Sequence, residues 1–498
     1  MKNVSAVVMA AGLGKRMKSK KAKVLHPVAD RPMVWYMATV AQQVSDSKVV
    51  MILGHQAERV EAYLKETMPE GTPLHIARQM QQLGTGDAVK QAKPELFPNG
   101  QAVAKKCVIL NGDTPLLTRD TVEKLLAHHD SQQAVVTLLT TDLPDPKGYG
   151  RIVRGQDQAV LNIVEDSDAS AEEKAIREIN VGTYVVDGQF LFTALDQLQP
   201  QNAQGEYYLT DIIAMAVAQD LRVSAMKTDD PRECFGINSR EHLAVAEQVM
   251  RERIRTKWLV EGVMMMDPAT TWIGADVEIG RDVVLYPNVH LEGQTTIGED
   301  TVIRAGSRIK DCRIGEGAHI EDHCVLEEAV VESGTSIGPF ARLRPGTIVR
   351  QGAQVGNFVE IKKSELKEGA KVNHLSYIGD AEIGKKANIG AGTITCNYDG
   401  FTKSKTIIGD GVFVGSDSQL VAPVKIGAGA VVGAGSTITK DVPEDALAVS
   451  RPEQVNLKGV AAKRRASRSG QNGKQPNKKD TSTAQPQGSK ITQPATKS

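Results

Sequence analysis

Aliphatic residues recur every six positions through the second half of the chain, and many of them are followed by glycine. Such regular self-similarity indicates one structural unit stacked on copies of itself, each burying the apolar face of its neighbour. Six residues fit one side of a triangular coil, with aliphatic side chains inside and glycine at the tight corners. The pattern predicts a parallel β-helix rather than a β-sandwich with chance spacing. The repeated positions are Ile273, Ile279, Leu285, Leu291, Ile297, Ile303, Ile309, Ile314, Ile320, Leu326, Val331, Ile337, Leu343, Val349, Val355, Ile361, Ile408, Val414, Leu420, Ile426, Val432 and Ile438.

The spacing of this repeat is interrupted near its middle. It shortens by one residue at 361–366 and again at 378–383, and it is lost at 396–406. Such breaks displace chain from the coil as loops, where functional residues tend to lie. We therefore expect a functional site beside the breaks, close to His374 and Asn388.

The first half of the chain alternates apolar runs of strand length with helical patterns, which is typical of an α/β domain. The run at 4–9 ends in the glycine-rich turn Ala10-Ala11-Gly12-Leu13-Gly14, followed by Lys15 and Arg16. A strand, a glycine-rich turn and basic residues together suit phosphate binding, although this turn matches neither the Walker nor the dinucleotide motif. Further strands are predicted at 49–54, 108–112, 134–139 and 181–186, and helices at 56–65 and 118–128.

Two charged residues lie where such a sheet binds ligands, beyond the carboxyl ends of its strands. Asp113 directly follows the predicted strand at 108–112, and a carboxylate there commonly helps to hold Mg²⁺. A turn-forming aspartate is the alternative interpretation. Lys23 follows the glycine-rich turn closely enough for its ammonium group to meet a phosphate, the alternative being an ordinary surface lysine.

Residues 239–261 read as one long helix with an incomplete apolar stripe, which is typical of a connector packed on one side. Ser239 is its expected N-cap, with His242 in place of the capping-box glutamate. We therefore divide the chain into an α/β domain at 1–238, a linker helix at 239–261, the β-helix at 262–457 and a tail at 458–498.

The formal charges of the 498 residues balance, with 60 basic and 60 acidic side chains, but the tail is basic. Residues 459–498 carry nine Lys or Arg and one Asp, and almost no apolar side chains. Such a segment cannot bury enough surface to offset its ordering entropy, so we expect a disordered tail that promotes solubility. Weak association with nucleic acid or a surface is the alternative.

The cysteines and the hydropathy indicate the expected compartment. Five cysteines without C-x-x-C spacing suggest neither a disulfide framework nor a zinc site, which fits a reducing cytoplasm. Neither a leader-like apolar segment at the N-terminus nor a run of about 20 apolar residues is apparent, so we expect no membrane span.

Several motifs together resemble one family, the bifunctional N-acetylglucosamine-1-phosphate uridylyltransferase and glucosamine-1-phosphate N-acetyltransferase. The resemblance covers residues 3 to about 457, and its longest block is Asn388-Ile389-Gly390-Ala391-Gly392-Thr393-Ile394-Thr395-Cys396-Asn397-Tyr398-Asp399-Gly400. It implies a Rossmann-like nucleotidyltransferase domain followed by a left-handed parallel β-helix of hexapeptide repeats. The other matching motifs are 10–12 with Arg16 and Lys23, 82–86, 112–113, 148–151, 163–165, 179–180, 236–238, 341–346, 356–360 and 374–379.

For the first domain the resemblance implies Mg²⁺-dependent uridylyl transfer from UTP to N-acetylglucosamine-1-phosphate, with release of pyrophosphate. It implies that Asp113 and Asn238 hold the metal and that Arg16 and Lys23 neutralise the phosphates. The implied nucleotide and sugar contacts are Met9, Ala10, Ala11, Gly12, Lys23, Gln79, Gly84, Thr85, Asn111, Gly112, Asp113, Gly148, Glu165, Asn180 and Asn238. Met9 stands where the family usually has leucine, and Asn111 replaces a frequent aromatic residue.

For the β-helix the resemblance implies acetyl transfer from acetyl-CoA to glucosamine-1-phosphate, with His374 as the base. An imidazole can take a proton from an attacking amine near neutral pH, which suits this role. Contacts to the amino-sugar phosphate are implied for Arg344, Lys362, Tyr377 and Asn388. Contacts to acetyl-CoA are implied for Ala391, Asn397, Tyr398, Ser416, Ala434 and Arg451.

A flat β-helix face encloses a cofactor poorly, so we expect a homotrimer with acetyl-transfer sites between subunits. The resemblance implies that the product, UDP-N-acetylglucosamine, supplies bacterial peptidoglycan synthesis. The alternatives are a single-function sugar-1-phosphate nucleotidyltransferase with a structural β-helix and a non-enzymatic assembly subunit of the same architecture. The motifs around His374 and Asp113 argue against both, and we expect no specific nucleic-acid partner.

Overall fold

The structure is a computed structural model that describes residues 3–68 and 73–471. Residues Met1–Val449 group as one compact unit, and residues from Ser450 onward belong to a second unit. In the first unit, the α/β domain and the β-helix pack on each other through helix α9 (Arg240–Val260). In the parts of the chain that the structure describes, no helix is long and apolar enough to cross a membrane.

The α/β domain is built around one central sheet. The strands of this domain are β1 (Val4–Ala10), β2 (Pro27–Val28), β3 (Arg31–Pro32), β4 (Val49–Leu53), β5 (Leu74–Arg78), β6 (Lys106–Asn111), β7 (Val136–Asp142), β8 (Arg151–Arg154), β9 (Val160–Val164), β10 (Glu178–Asp187) and β11 (Val223–Lys227). Seven of them form the sheet in the order β11-β7-β10-β6-β1-β4-β5, with β8 and β9 attached beside β10. Strands β1, β4, β5 and β6 run parallel, whereas β10 runs antiparallel to both β6 and β7.

Helices cover this sheet, as the alternating pattern predicted, because each apolar strand needs an apolar stripe against it. The helices are α1 (Met33–Val44), α2 (Ala57–Thr67), α3 (Thr85–Lys90), α4 (Lys93–Leu96), α5 (Arg119–Gln132), α6 (Ala171–Lys174), α7 (Gly188–Leu195), α8 (Asp211–Ala218) and α9. Short 3₁₀ helices lie at Lys15–Met17, Lys23–Leu25, Pro98–Gly100, Pro231–Cys234 and Pro268–Thr270.

Helix α9 begins with the predicted N-cap, since the backbone N–H of His242 donates to Ser239 Oγ at 3.2 Å. Buried Ala246, Val249 and Met250 form its inner face. Further contacts join the β-helix to the first domain: Arg31 pairs with Asp276 at 2.5 Å, and the N–H of Ala275 donates to the carbonyl of Ala29 at 3.1 Å.

The C-terminal part of this unit is a left-handed parallel β-helix whose short strands form three sheets, which confirms the fold predicted from the hexads and motifs. The first sheet contains Met264–Met265, Val284–Leu285, Val302–Ile303, His319–Ile320, Ser336–Ile337, Gln354–Asn357, Lys371–His374, Asn388–Ile389, Phe413–Val414, Val431–Val432 and Leu447–Ala448. The second contains Trp272–Ile273, His290–Glu292, Arg308–Lys310, Val325–Glu327, Arg342–Leu343, Glu360–Lys362, Tyr377–Gly379, Ile394–Cys396, Gln419–Val421 and Thr437–Ile438. The third contains Glu278–Ile279, Thr296–Ile297, Arg313–Ile314, Val330–Val331, Ile348–Val349, Glu365–Leu366, Ala381–Ile383, Thr406–Ile408 and Val424–Ile426.

The repeated aliphatic side chains form one continuous core inside the prism. Every hexad position identified from the sequence is buried, and in each case the side chain packs on its equivalents in neighbouring coils. The excursion at 396–406 leaves the coil as a loop, within which Tyr398 forms an isolated bridge with Lys403. This break therefore corresponds to structure outside the regular ladder, whereas the two one-residue shortenings stay within it, since Leu366 pairs with both Val349 and Ile383.

The second unit contains helix α10 (Val460–Gln471). This helix lies within the segment for which we predicted disorder, and its alanine and arginine residues are strong helix formers. Residues 472–498, the remainder of the predicted tail, lie outside the described residues. The domain boundaries stay a prediction.

Candidate functional site

The first candidate site is a cavity of about 250 Å³ at the carboxyl ends of β1 and β6 and beside the residue that follows β5. Because these strands belong to one parallel set, their carboxyl ends share one edge of the sheet. Ten of the predicted residues line the cavity: Met9, Ala10, Ala11, Gly12, Lys23, Gln79, Gly84, Thr85, Asn111 and Asp113. Gly112 lies beside them, and its N–H donates to the carbonyl of Met9 at 2.8 Å.

At this cavity, the side-chain oxygens of Asp113 and Asn238 both accept hydrogen bonds from the ammonium group of Lys23. The ammonium of Lys23 donates to Asp113 Oδ2, and it donates to Asn238 Oδ1 at 3.0 Å. All three side chains are half-buried. A carboxylate oxygen and an amide oxygen form the donor set that Mg²⁺ prefers, with its other positions left to water and phosphate. These residues fit a divalent cation, although the described residues contain no cluster of three acidic, His or Cys side chains around one point.

Arg16 is exposed in the 3₁₀ turn Lys15–Met17, outside the set of described residues that line the cavity. This turn belongs to the segment that follows β1, in which Gly14 adopts φ 63°. The loop therefore brings positive charge to the same end of the sheet as Lys23.

Glycine is required at position 84 because the backbone there lies against another segment. Gly84 has φ 114°, and an added Cβ would lie 2.5 Å from the carbonyl oxygen of Tyr207. The loop that precedes α3 is thereby fixed to the segment before α8, since the N–H of Gly86 also donates to the Tyr207 carbonyl at 2.8 Å. This close approach involves protein backbone, and Gly84 also lines the cavity, where the resemblance implies a nucleotide contact.

Gln82, Glu206, Val24 and Ala88 also line the cavity, although they were not among the predicted contacts. Gln82 belongs to a motif that the sequence analysis identified. Glu206 lies far along the chain, and no local pattern around it points to a site. Only tertiary packing of its segment against Gly84 brings it to the cavity.

The predicted sugar contacts form a second group beside the cavity. The N–H of Asn180 donates to the carbonyl of Gly150 at 2.9 Å, and Glu165 accepts from the hydroxyl of Thr210 at 3.1 Å. Burial raises the pKa of the Glu165 carboxyl. Gly148 lies in the loop before this group with φ 82° and open space around its Cα. The group therefore offers two side chains and one exposed backbone turn.

Asn111 connects the two groups. Its Nδ2 donates to the carbonyls of Val181 and Gly182, at 3.3 and 3.2 Å, where β10 bulges. The amide hydrogens are therefore committed to backbone, and the Oδ1 atom is the polar group that Asn111 can still offer. This geometry explains how a small polar residue fits at this position.

The second candidate site lies at the corner between the first and second sheets of the β-helix. His374 ends a strand of the first sheet, directly opposite Asn357, and its side chain is exposed. Asn388 lies in the next strand of that sheet, opposite Lys371. Tyr377 begins the following strand of the second sheet. His374 and Tyr377 therefore flank one corner beside the breaks in the repeat, whereas Asn388 lies at the opposite end of the first-sheet strands.

Basic and polar residues continue this site along the second sheet. Arg344 and Lys362 lie on adjacent coils, since the N–H of Arg344 donates to the carbonyl of Ile361 at 2.8 Å. Arg344 also pairs with Glu360 at 2.9 Å. In the neighbouring loop Asn397 donates to Asp380, and Tyr398 is exposed. Two half-buried cations thus lie on one side of the prism, with exposed Tyr398 and buried Asn397 in the loop beside them.

Small residues occupy the same corner on the coils that follow. Ala391 accepts from the N–H of Asp417 at 2.7 Å, and Ser416 accepts from the N–H of Gly435 at 2.8 Å, so Ala391, Ser416 and Ala434 lie on successive coils. This corner therefore carries small side chains on three successive coils. Arg451 belongs to the second unit of the chain.

Comparison with known proteins matches both halves of the chain. A family model described as nucleotidyl transferase matches residues 5–259, bacterial transferase hexapeptide repeats match residues 405–440, and the GMPPB C-terminal domain matches residues 260–351.

Relatives match almost the whole length. The bifunctional protein GlmU of Shouchella clausii is 48% identical over 91% of this chain and 97% of its own. The bifunctional protein GlmU of Pelobacter propionicus is 46% identical over 92% of this chain and 98% of its own length. The bifunctional protein GlmU of an Exiguobacterium species is 49% identical over 91% of this chain and 98% of its own length. The resemblance seen in the motifs is thereby confirmed: the chain belongs to the bifunctional GlmU family of uridylyltransferases and acetyltransferases.

Proposed function

We propose that this enzyme makes UDP-N-acetylglucosamine in two steps at two separate sites. The β-helix transfers the acetyl group of acetyl-CoA to the amine of glucosamine-1-phosphate, and the α/β domain then joins the product to UTP. The observation that carries the first-domain assignment is the convergence of Asp113, Asn238 and Lys23 at the cavity on the edge of the sheet. The observation that supports the second is that exposed His374 leads through one corner into the second sheet, along which Tyr377, Lys362 and Arg344 lie on successive coils.

In uridylyl transfer, a phosphate oxygen of N-acetylglucosamine-1-phosphate attacks the α-phosphorus of UTP, and pyrophosphate leaves. The barrier is mainly one of bringing two anions together, so positioning and charge neutralisation supply most of the catalysis. Lys23 and Arg16 provide fixed positive charge for the phosphates. Asp113 and Asn238 hold Mg²⁺, which when bound neutralises further phosphate charge.

The remaining cavity residues recognise the two substrates. Gln79, Gly84 and Thr85 read the edge of the uracil, and the turn of Ala10, Ala11 and Gly12 cradles the phosphates. Gly148, Glu165 and Asn180 hold the N-acetyl sugar, because polar side chains and an exposed backbone turn match its hydroxyl and amide groups.

In acetyl transfer, His374 takes a proton from the amine as it attacks the thioester carbonyl, and the thiol of coenzyme A leaves. Arg344 and Lys362 bind the sugar phosphate, and Tyr377 and Asn388 orient the sugar. Ala391, Asn397, Tyr398, Ser416 and Ala434 contact acetyl-CoA. The exposure of His374 supports a site that a neighbouring subunit completes.

We propose a homotrimer on the basis of a ladder of apolar side chains at the same corner. His323, Phe340 and Phe358 stack on successive coils with ring centroids 5.1 and 5.2 Å apart, and Leu375 follows them. Phe340, Phe358 and Leu375 are 48, 54 and 64% exposed, so a second copy of the chain would bury them. Both phenylalanines adopt left-handed φ values, as His323 and Leu375 do on neighbouring coils, so this conformation is the regular turn geometry of the corner.

The five cysteines are all free, which supports a reducing cytoplasm as the compartment. The whole proposal is tested by incubating the protein with glucosamine-1-phosphate, acetyl-CoA, UTP and Mg²⁺, and then omitting each component in turn. UDP-N-acetylglucosamine should form only in the complete mixture. The proposal would be overturned if UDP-N-acetylglucosamine formed without acetyl-CoA. It would also be overturned if none formed when N-acetylglucosamine-1-phosphate replaced glucosamine-1-phosphate and acetyl-CoA.

A further inference from the structure

We propose that Asp87 is a positioning residue that sets the base preference of the nucleotide site by fixing the side-chain amide of Gln79. This inference rests on the proposed function, in which Gln79 reads the uracil edge. Asp87 acts only through Gln79, and its contribution is therefore to specificity rather than to the phosphoryl chemistry.

The Gln79 amide is held by two acceptors. The side chain is 5% exposed, and its Nε2 donates to Asp87 Oδ2 at 2.8 Å and to the carbonyl of Gly84 at 3.1 Å. A primary amide has two N–H donors, so both are used by protein groups. Gln79 also lines the nucleotide cavity, which leaves its Oε1 atom as the group available there.

The opposite orientation of this amide is unfavourable. Turning the amide over would bring Oε1 against the Asp87 carboxylate and the Gly84 carbonyl, neither of which can donate a hydrogen bond. Two close acceptor pairs would replace two hydrogen bonds in a buried place, where unmade bonds are costly. Asp87 thus keeps a hydrogen-bond acceptor turned to the base.

An acceptor at this point distinguishes the two pyrimidines. Uracil carries an N–H donor at N3, whereas cytosine has an unprotonated acceptor nitrogen there. Oε1 of Gln79 therefore forms a hydrogen bond with uracil and repels the cytosine edge. A site built around one hydrogen bond rejects the analogue that lacks the donor, because its own buried group stays unpaired.

The surroundings of Asp87 keep its carboxylate in place. Asp87 lies in α3, is half-buried, and lines a second cavity of about 780 Å³ on the other flank of the Gly84 segment. Its other oxygen, Oδ1, accepts from Gln91 Nε2 at 3.1 Å. Both carboxylate oxygens are therefore engaged with amide donors, one from the nucleotide cavity and one from the helix.

The test is the substitution Asp87→Asn in the full-length protein. The introduced asparagine can turn its own amide to donate to Gln79, which removes one of the two acceptor contacts that oppose the turned amide and leaves only the Gly84 carbonyl. Gln79 can then present Nε2 to the base in part of the molecules. We expect the ratio of kcat/KM for UTP to that for CTP to fall about fivefold, with N-acetylglucosamine-1-phosphate as the second substrate. Gln91→Met removes the donor to Oδ1 and to the Asp87 carbonyl but leaves the bond between Asp87 and Gln79 in place. It is the matched control and should leave this ratio within about twofold.

A third nucleotide separates specificity from general damage. 5-Methyl-UTP has the same N3 donor as UTP, so the ratio of UTP to 5-methyl-UTP should stay unchanged in Asp87→Asn. If all three nucleotides lose activity together, Asp87 is merely structural and the inference is overturned.

The variant Gln79→Leu separates the role of Asp87 from that of Gln79, and calorimetry measures nucleotide binding without catalysis. A changed UTP to CTP ratio in Gln79→Leu but not in Asp87→Asn would overturn the role of Asp87 and leave the proposed function intact. If the wild-type enzyme formed no UDP-sugar, the proposed function would fail. In that case the relative binding of UTP and CTP to wild type and Asp87→Asn, measured calorimetrically, would still decide the inference.

Discussion

The nucleotide cavity combines side chains from segments as far apart as Lys23 and Asn238, whereas the residues around His374 come from consecutive coils of one β-helix. Lys23, Asp113 and Asn238 are half-buried and bonded to one another, but His374 and Tyr398 face solvent. A wound α/β sheet can enclose a ligand by itself because loops converge at one edge. A flat face of the β-helix contacts a ligand from one side only. The site around His374 therefore needs a second surface to enclose its ligand.

The largest effect is expected for Asp113→Ala, which removes one of the two proposed metal ligands. Uridylyl transfer should fall by about three orders of magnitude or more, since a half-buried charged ligand is lost from the phosphate site. Acetyl transfer should stay unchanged because Asp113 lies in the other domain. Coupled assays of pyrophosphate and free thiol release measure both reactions in one preparation.

Full uridylyl transfer by Asp113→Ala would refute the metal assignment. Asp120→Ala is the matched control, because Asp120 is an exposed aspartate of the same domain. It should keep both activities.

His374→Ala should have the opposite effect to Asp113→Ala, with acetyl transfer lost and uridylyl transfer retained. Removing a general base typically costs about 100- to 10,000-fold, so acetyl transfer should be nearly lost while uridylyl transfer remains. The thiol-release assay measures the first, and pyrophosphate release from N-acetylglucosamine-1-phosphate and UTP measures the second. His319→Ala, on an earlier coil of the same sheet, is the control; equal loss of both reactions in His374→Ala would contradict two separate sites.

Phe358→Asp tests whether the ladder is a contact between subunits. Aspartate tolerates the left-handed backbone at this position, and its charge opposes burial against a second copy. We expect a lower molar mass by light scattering and acetyl transfer reduced about tenfold or more, with normal uridylyl transfer. Val260→Asp, at an 83% exposed position of α9, should change neither quantity. A trimer of unchanged stability in Phe358→Asp would exclude the ladder from the interface.

The smallest effect concerns Glu165 and the stability of the first domain. Burial raises the pKa of this carboxyl, so ionisation is less favourable in the folded protein than in the unfolded chain. The free energy of unfolding is therefore lowered as pH rises above the ordinary glutamate range. Glu165→Gln should raise Tm by about 2 °C at pH 7 and by less at pH 4, as measured by calorimetry. A larger gain at pH 4 would contradict this sign.

The sequence predicted the regular parts of the molecule well because repetition leaves few alternatives. A hexad ladder such as Ile297, Ile303 and Ile309 can be buried only inside a coil, and these residues are buried. The strands that end at Ala10 and Asn111 were likewise readable from apolar runs followed by turns. Residues of the site could be named because they lie in motifs.

Other features depended on packing that no local pattern encodes. The antiparallel direction of β10 follows from its pairing with β6 and β7, which join distant segments. Glu206 reaches the cavity through the contact of its segment with Gly84, and Asp87 shows its function only through the bond to Gln79. Helix α10 formed where composition alone predicted disorder.

The central claim, that one site is complete in a single chain and the other is not, is tested most directly by dilution. Specific activities for both reactions and the mass by light scattering are measured on the same wild-type samples across a dilution series. We predict that acetyl transfer per chain falls as the mass declines from trimer to monomer, while uridylyl transfer per chain stays constant. Monomers with full acetyl transfer would contradict the account.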